Sequence, residues 1–175
     1  GDYLRSGSIA SRAPIMEEVI KKANNGTPVI GICNGFQILT ECGLLPGALM
    51  RNKKMKFICK YTYLISNHSS KWINKSQVGK IVSMPVAHHD GNYFADKLII
   101  EGLVKENRIA YQYCSKEGKV DSISNINGSV NNIAGIINKN GNVLGMMPHP
   151  ERAIANNLGG NDGTTFFKNF FEKLG

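Results

Sequence analysis

No segment of this 175-residue chain approaches the ~20 consecutive apolar residues that a helix needs to cross a bilayer. Runs such as Leu98 to Ile100, or Ile133 to Ile137 with its glycine, end far too soon. A membrane-spanning helix is excluded, and no membrane partner is expected. The chain also opens without the basic stretch and apolar core of a secretory leader. Cysteine is scarce: Cys33, Cys42, Cys59 and Cys114 form no C-x-x-C pair and are too sparse for a disulfide scaffold. Reduced thiols in a cytoplasmic setting are the expectation. Acidic residues are in the minority, 13 against 21 Lys+Arg, for a net charge of +8. Such a balance can serve nucleic-acid binding through counterion release. Here, however, only Arg51, Lys53, Lys54, Lys56 and Lys60 are locally dense, and no aromatics interleave with them to stack on bases. No nucleic-acid partner is expected, and the basic surface reads as solvated or partner-facing.

What is present is enough for a core. At 42% hydrophobic residues a chain of this length should bury roughly 70% of the surface it exposes when unfolded. There is no internal repeat and no linker, so residues 1–175 are expected to form a single domain. Ser11 to Lys22 has a proline in its first turn, acids next, apolar Ile15, Met16, Val19 and Ile20 at helical spacing, and lysines last, which predicts an amphipathic helix. Thr27 to Cys33 is a short β-branched run of the kind buried on both faces of a sheet. Asn34 to Gly43 then reads as a short helix, so strand passes into helix through a tight turn at Cys33 to Gly35. Phe57 to Ile65, Lys80 to Met84, Leu98 to Lys105, Arg108 to Cys114, Ile133 to Asn138 and Asn142 to Met147 read as strands, with Asn140-Gly141 as a hairpin turn. Phe166, Phe167, Phe170, Phe171 and Leu174 form the stripe of a closing helix over Thr164 to Leu174.

Two local patterns carry chemistry. Gly31-Ile32-Cys33-Asn34-Gly35 has the form G-x-C-x-G, the cysteine version of a nucleophile elbow, in which small residues two before and two after allow a strained strand-to-helix turn. The helix N-terminus then points its dipole at the sulfur and favours thiolate. Met147-Pro148-His149-Pro150-Glu151 supplies H-x-E, a base and the carboxylate that would orient it. Taken alone, that pattern reads more readily as a proline-stiffened surface turn; together with the elbow and the Phe36-Gln37 that follows it, the reading turns to catalysis. Cys42, Cys59 and Cys114 lack the elbow's flanks and read as ordinary cysteines.

Gly31 to Gln37 together with Pro148 to Arg152 resembles the class I (triad) glutamine amidotransferase family. Gly1 to Arg5, Phe57-Ile58-Cys59, Pro85 to His88, Gly91-Asn92-Tyr93, Asn127-Gly128-Ser129, Ile133 to Ile136 and Gly141 to Met147 narrow the resemblance to the glutaminase subunits of phosphoribosylformylglycinamidine synthases. It implies an α/β fold, a flavodoxin-like three-layer sandwich around a central, mostly parallel sheet. It also implies further strands and a glycine-rich loop ahead of Gly1, where this sequence has none. A small residue and a glutamate usually stand where this chain has His89-Asp90, and His89 is given no role.

By the same resemblance, Cys33 attacks the side-chain amide of L-glutamine, His149 moves the protons, and Glu151 orients His149. The backbone N–H of Asn34 serves the oxyanion, and Gln37, Asn127, Gly128 and Ser129 are candidate substrate holders. The subunit itself needs no cofactor and no metal site is expected. Ammonia passes to a larger synthase subunit that uses ATP and Mg, with a small accessory subunit alongside, and Arg51 to Lys60 is a candidate docking surface. The alternatives are another cysteine hydrolase of this fold, such as a free-standing γ-glutamyl hydrolase or an amidotransferase feeding a different synthase. A different class of alternative is a basic RNA-binding or scaffolding module with an inert Cys33.

Overall fold

The computed structural model describes residues 4–155 and 160–172. Gly1, Asp2, Tyr3 and Leu174, which figured in the patterns above, lie outside them. Helix α1 (Leu4–Ala10) leads into α2 (Pro14–Asn24), strand β1 (Val29–Ile32) and α3 (Asn34–Glu41). Then come β2 (Ala48–Met50), β3 (Ile58–Ile65), β4 (Ile81–His88), β5 (Asn92–Phe94), α4 (Lys97–Lys105), β6 (Ile109–Cys114), β7 (Ile133–Ile137), β8 (Val143–Met146) and α5 (Asp162–Glu172).

In α2, Pro14 opens the first turn, Glu17 lies near the start, Lys21 and Lys22 lie in the last turn, and Met16 and Ala23 face inward. Ser11 does not cap it; its hydroxyl donates to the Ser8 carbonyl at the end of α1. The stretch from Leu98 to Lys105, expected as a strand, is helix α4. The Asp96 carboxylate accepts the Ile99 N–H at 2.9 Å and starts the helix, and Ile100 and Leu103, three apart, are buried. A local cap and helical spacing override the β preference of Leu98-Ile99-Ile100.

Among the described residues six strands form one sheet in the order β1-β8-β7-β6-β3-β4, and β2 and β5 form a small antiparallel pair. The mostly parallel sheet of the expectation is corrected to a mixed one. Among the described residues only β1 and β8 run parallel, and the other four pairings in that sheet are antiparallel. Strands that follow one another through a tight turn can pair only antiparallel, whereas a parallel pair needs a long crossover. The Asn140-Gly141 turn sits as expected between antiparallel β7 and β8.

The α/β layering is clear in the core. Along β8 the buried side chains alternate: Val143 joins Phe36 and Leu39 of α3 and Leu103 of α4 on one face, while Leu144 and Met146 join Trp72, Tyr113 and Phe166 of α5 on the other. Gly145 has no Cβ because one would collide with Phe36. The phenylalanine stripe of α5 is only partly used: Phe170 stacks on Trp72 at 5.0 Å, but Phe171 is exposed.

Candidate active site

The parallel β1–β8 pair builds the site. Ile32 is in register with Met146, and the Cys33 N–H continues the ladder to the Met146 carbonyl at 2.8 Å. Beyond that point both chains leave the carboxyl end of the sheet, the edge where open α/β sheets bind ligands. One turns sharply into α3, with Cys33 at φ +53° and ψ −107°, a strained setting for a residue with a Cβ. The Cys33 carbonyl accepts the N–H groups of Phe36 and Gln37, so helix begins at once. A Cβ on Gly31 would lie 2.5 Å from both the Gly35 carbonyl oxygen and Leu39, so the turn closes only over a glycine there. Gly35 has open space around its own Cβ position, and half of the small-residue expectation is therefore not a steric need.

The other chain carries His149 three residues past Met146. Its N–H donates to the Pro85 carbonyl at 2.8 Å, and its Nδ1 lies 2.6 Å from Glu151 Oε1, which leaves Nε2 as the nitrogen available for chemistry. His149 is buried, and among the described residues nothing hydrogen-bonds that Nε2. Burial pushes the Glu151 carboxyl up, but the hydrogen bond with His149, a backbone N–H and the charges of His149 and Arg152 outweigh it and hold Glu151 below the usual carboxylate range.

The third wall comes from across the sheet. Five strand spacings separate β1 from β4, about 24 Å if the sheet were flat. Yet the Ala87 carbonyl of β4 stands 3.8 Å from Cys33 Sγ. The sheet therefore curls until its far strand closes over the elbow. In that strand His88 is completely buried, with its ring packed on Gly91. The Asn52 amide donates to the His88 carbonyl at 2.9 Å, so Asn52 Oδ1, 3.0 Å from His88 Nδ1, is the acceptor and Nδ1 carries the proton. Burial, and next the charge of His149, lower His88 to about 4, so it stays neutral beside the base. Among the described residues no group of three or more His, Cys, Asp or Glu could hold a metal ion.

The proposed substrate holders separate into two kinds. Gln37 is buried one turn along α3, its amide donates to the Asp90 carbonyl at 2.9 Å, and its Oε1 has no partner among the described residues. Asn127 and Ser129 are instead fully engaged. Asn127 donates to the Gly91 carbonyl and the Tyr113 hydroxyl and accepts from Ser129, while the Ser129 hydroxyl accepts the Tyr93 N–H. Gly128, at φ +93°, lets that loop lie against Lys53. These three brace the wall at Gly91. Sequence reasoning overlooked Asn52 as the residue that orders His88, because 36 residues separate them and no spacing signals the contact. The remaining cysteines are apart from this cluster in character: burial raises the Cys114 thiol to about 11, Cys42 is half-buried and Cys59 is exposed.

A mixed α/β sheet with a strained cysteine elbow and a His-Glu pair at its carboxyl edge is the architecture of a triad amidotransferase. A family model for the CobB/CobQ-like glutamine amidotransferase domain matches residues 1–160, and the chain belongs to that family. Phosphoribosylformylglycinamidine synthase subunit PurQ of Chlorobium luteolum is 50% identical over 175 residues, which cover 99% of this chain and 76% of that protein. The same subunit of Moorella thermoacetica is 54% identical over 164 residues, 93% of this chain and 70% of that one. In the solved structure of PurLQS from Thermotoga maritima, one chain is 39% identical and superposes with a TM-score of 0.84, covering all of this chain and 75% of its own length.

Proposed function

We propose that this chain hydrolyses L-glutamine as the glutaminase subunit of a phosphoribosylformylglycinamidine synthase, with Cys33 as nucleophile, His149 as acid and base, and Glu151 as the group that orients His149. The observation that carries the assignment is the strained Cys33 elbow at the end of β1 and, past the end of the paired strand β8, a histidine whose Nδ1 is held 2.6 Å from a carboxylate.

The thiol proton passes to His149 Nε2 as sulfur attacks the amide carbon, and the tetrahedral oxyanion meets the Asn34 N–H at the start of α3. His149 returns the proton to the departing nitrogen, the C–N bond breaks, and ammonia leaves a γ-glutamyl thioester on Cys33. Water then attacks the thioester as His149 takes its proton, the C–S bond breaks, the proton returns to the Cys33 sulfur, and glutamate is released. Glu151 keeps Nδ1 protonated and stabilises the transient imidazolium. Gln37 Oε1, without a partner among the described residues, is an acceptor for an N–H of glutamine. Asn127, Gly128 and Ser129 act by holding the wall.

Ammonia protonated in bulk water is no longer a nucleophile, so it is delivered to a larger synthase subunit. ATP and Mg act there, on formylglycinamide ribonucleotide, with a small accessory subunit alongside and no cofactor in this chain. Among the described residues no helix is long and apolar enough to cross a membrane, which fits work in the cytoplasm. The test is glutamate release by the full-length protein with and without an ATP-dependent synthase. Activity is expected to depend on Cys33 and to rise with the synthase. Equal activity without it favours the free-standing hydrolase.

A further inference from the structure

The residues of the site are almost sealed. Cys33 retains 8% of its surface and His149 6%, and the Nε2 atoms of both His88 and His149 are inaccessible. Two joined layers of chain continue from Ala87, whose carbonyl stands 3.8 Å from Cys33 Sγ. The inner layer is the turn from His88 to Gly91, and the outer one is the loop from Arg51 to Phe57. Asn52, itself fully buried, joins the two: its amide donates to the carbonyls of Lys56 and His88, its Oδ1 accepts from His88 Nδ1 and the Gly91 N–H, and its own N–H donates to the His89 carbonyl. The outer loop is secured further by Arg51, 3.6 Å from Asp90, and by the Met55 carbonyl, 3.3 Å from His89 Nε2.

The outward side of this loop is unlike an ordinary solvated surface. Met50, Met55 and Phe57 are 48%, 60% and 56% exposed, and they alternate with exposed Lys53, Lys54 and Lys56. Apolar side chains held open among fixed cations suit a surface with an apolar centre and an acidic rim. The loop is also hydrogen-bonded to His88 and His89, the residues that follow Ala87, whose carbonyl is 3.8 Å from the nucleophile, so a protein seated there bears on a wall of the site. We propose that the Met50 to Phe57 loop is the docking surface for an acidic-rimmed face of the synthase partner, and that Asn52 is the positioning residue through which docking reaches the His88 to Gly91 wall and Cys33. This rests on the glutaminase reading above. It goes beyond that reading in naming the surface and the link, and Lys60, part of the original basic segment, is not needed for it.

The test uses the full-length protein and its purified synthase, after Cys33-dependent glutamine hydrolysis has been verified; failure at that step defeats the glutaminase reading, not the docking surface. Reversing Lys53, Lys54 and Lys56 together to Glu is expected to weaken synthase binding about 100-fold at low salt and to flatten its salt dependence, and Met55→Asp to weaken it about 10-fold. Melting temperatures report whether each variant is folded. Asn52→Ala is expected to keep the synthase affinity within about threefold while losing most of the stimulation of glutamine hydrolysis. Asn52→Asp, which keeps the acceptor toward His88 and Gly91, should recover part of it and serves if the alanine variant does not fold. Unchanged synthase affinity in the triple reversal overturns the docking surface, as does a result in which only RNA binding or self-association is lost. Full stimulation in a folded Asn52→Ala protein overturns the link.

Discussion

Two polar clusters, one around Asn127 and Asn132 and one around Cys33, differ in one respect. In the loop from Asn125 to Asn132, the side-chain amides of Asn125, Asn127 and Asn132 are occupied within the chain. Asn132 donates to the Tyr113 and Asp121 carbonyls, Asn125 to Asn132 and the Ser129 carbonyl, and Asn127 to Gly91 and Tyr113. Around Cys33, by contrast, His149 Nε2, His88 Nε2 and Gln37 Oε1 are buried without partners among the described residues. A buried polar atom left unpaired costs about 1–3 kcal/mol. Satisfied clusters hold a shape; a cluster that carries this cost is one organised for something that arrives later.

The largest effect that sharpens the contrast is Cys33→Ala, which should abolish glutamine hydrolysis, whereas Cys114→Ala, equally buried but beside the satisfied cluster, should alter stability and leave turnover alone. Steady-state glutamate release from the Cys33 variant would break the assignment. Next comes His149→Ala, expected to lower kcat by about 10²–10⁴-fold, with a smaller loss for Glu151→Gln because that residue orients and does not transfer the proton. A His88→Ala variant more damaging than His149→Ala in the same assay would mean the base has been assigned to the wrong ring.

On the satisfied side the expected loss is of stability. Asn132→Ala should cost about 1–3 kcal/mol in urea unfolding by removing a buried donor to the Tyr113 and Asp121 carbonyls, with KM for glutamine unchanged. Asn127→Ala is the sharper probe: a raised KM without lost stability would return it to the substrate holders.

The last contrast is in pH. Because the folded-state value of His88, about 4, lies below its ordinary 6.5, protonation favours the unfolded chain. Its contribution to stability is complete above pH 6.5 and falls through the interval down to about 4, by up to about 3 kcal/mol. Glu151, held low, loses its own contribution only below the usual carboxylate range. Urea midpoints across pH 7 to 4 should therefore fall less steeply in His88→Gln than in the native protein.

Several elements were legible in the sequence because their causes are local. Gly31 and Cys33 specify the elbow within five residues, Pro14 and the lysines specify α2, and Asn140-Gly141 specifies a hairpin. Leu98 to Lys105 was misread because one side chain, Asp96, decides between helix and strand, and its cap counts only once formed. The mixed sheet was misjudged because strand direction depends on which strands become neighbours.

The chain's own order of residues thus determined the chemistry available: a cysteine in a turn that only Gly31 permits, and a histidine two residues from its carboxylate. These are short-range facts, set by sterics and by side chains that cannot be far apart. Only the tertiary structure decided what surrounds them. The curl of the sheet brings β4 to within 3.8 Å of Cys33, and Asn52, 36 residues from His88, sets that ring's tautomer. Burial then keeps the ring neutral. Those outcomes depend on contacts between segments that only folding brings together, and on a desolvation that no isolated stretch of chain experiences.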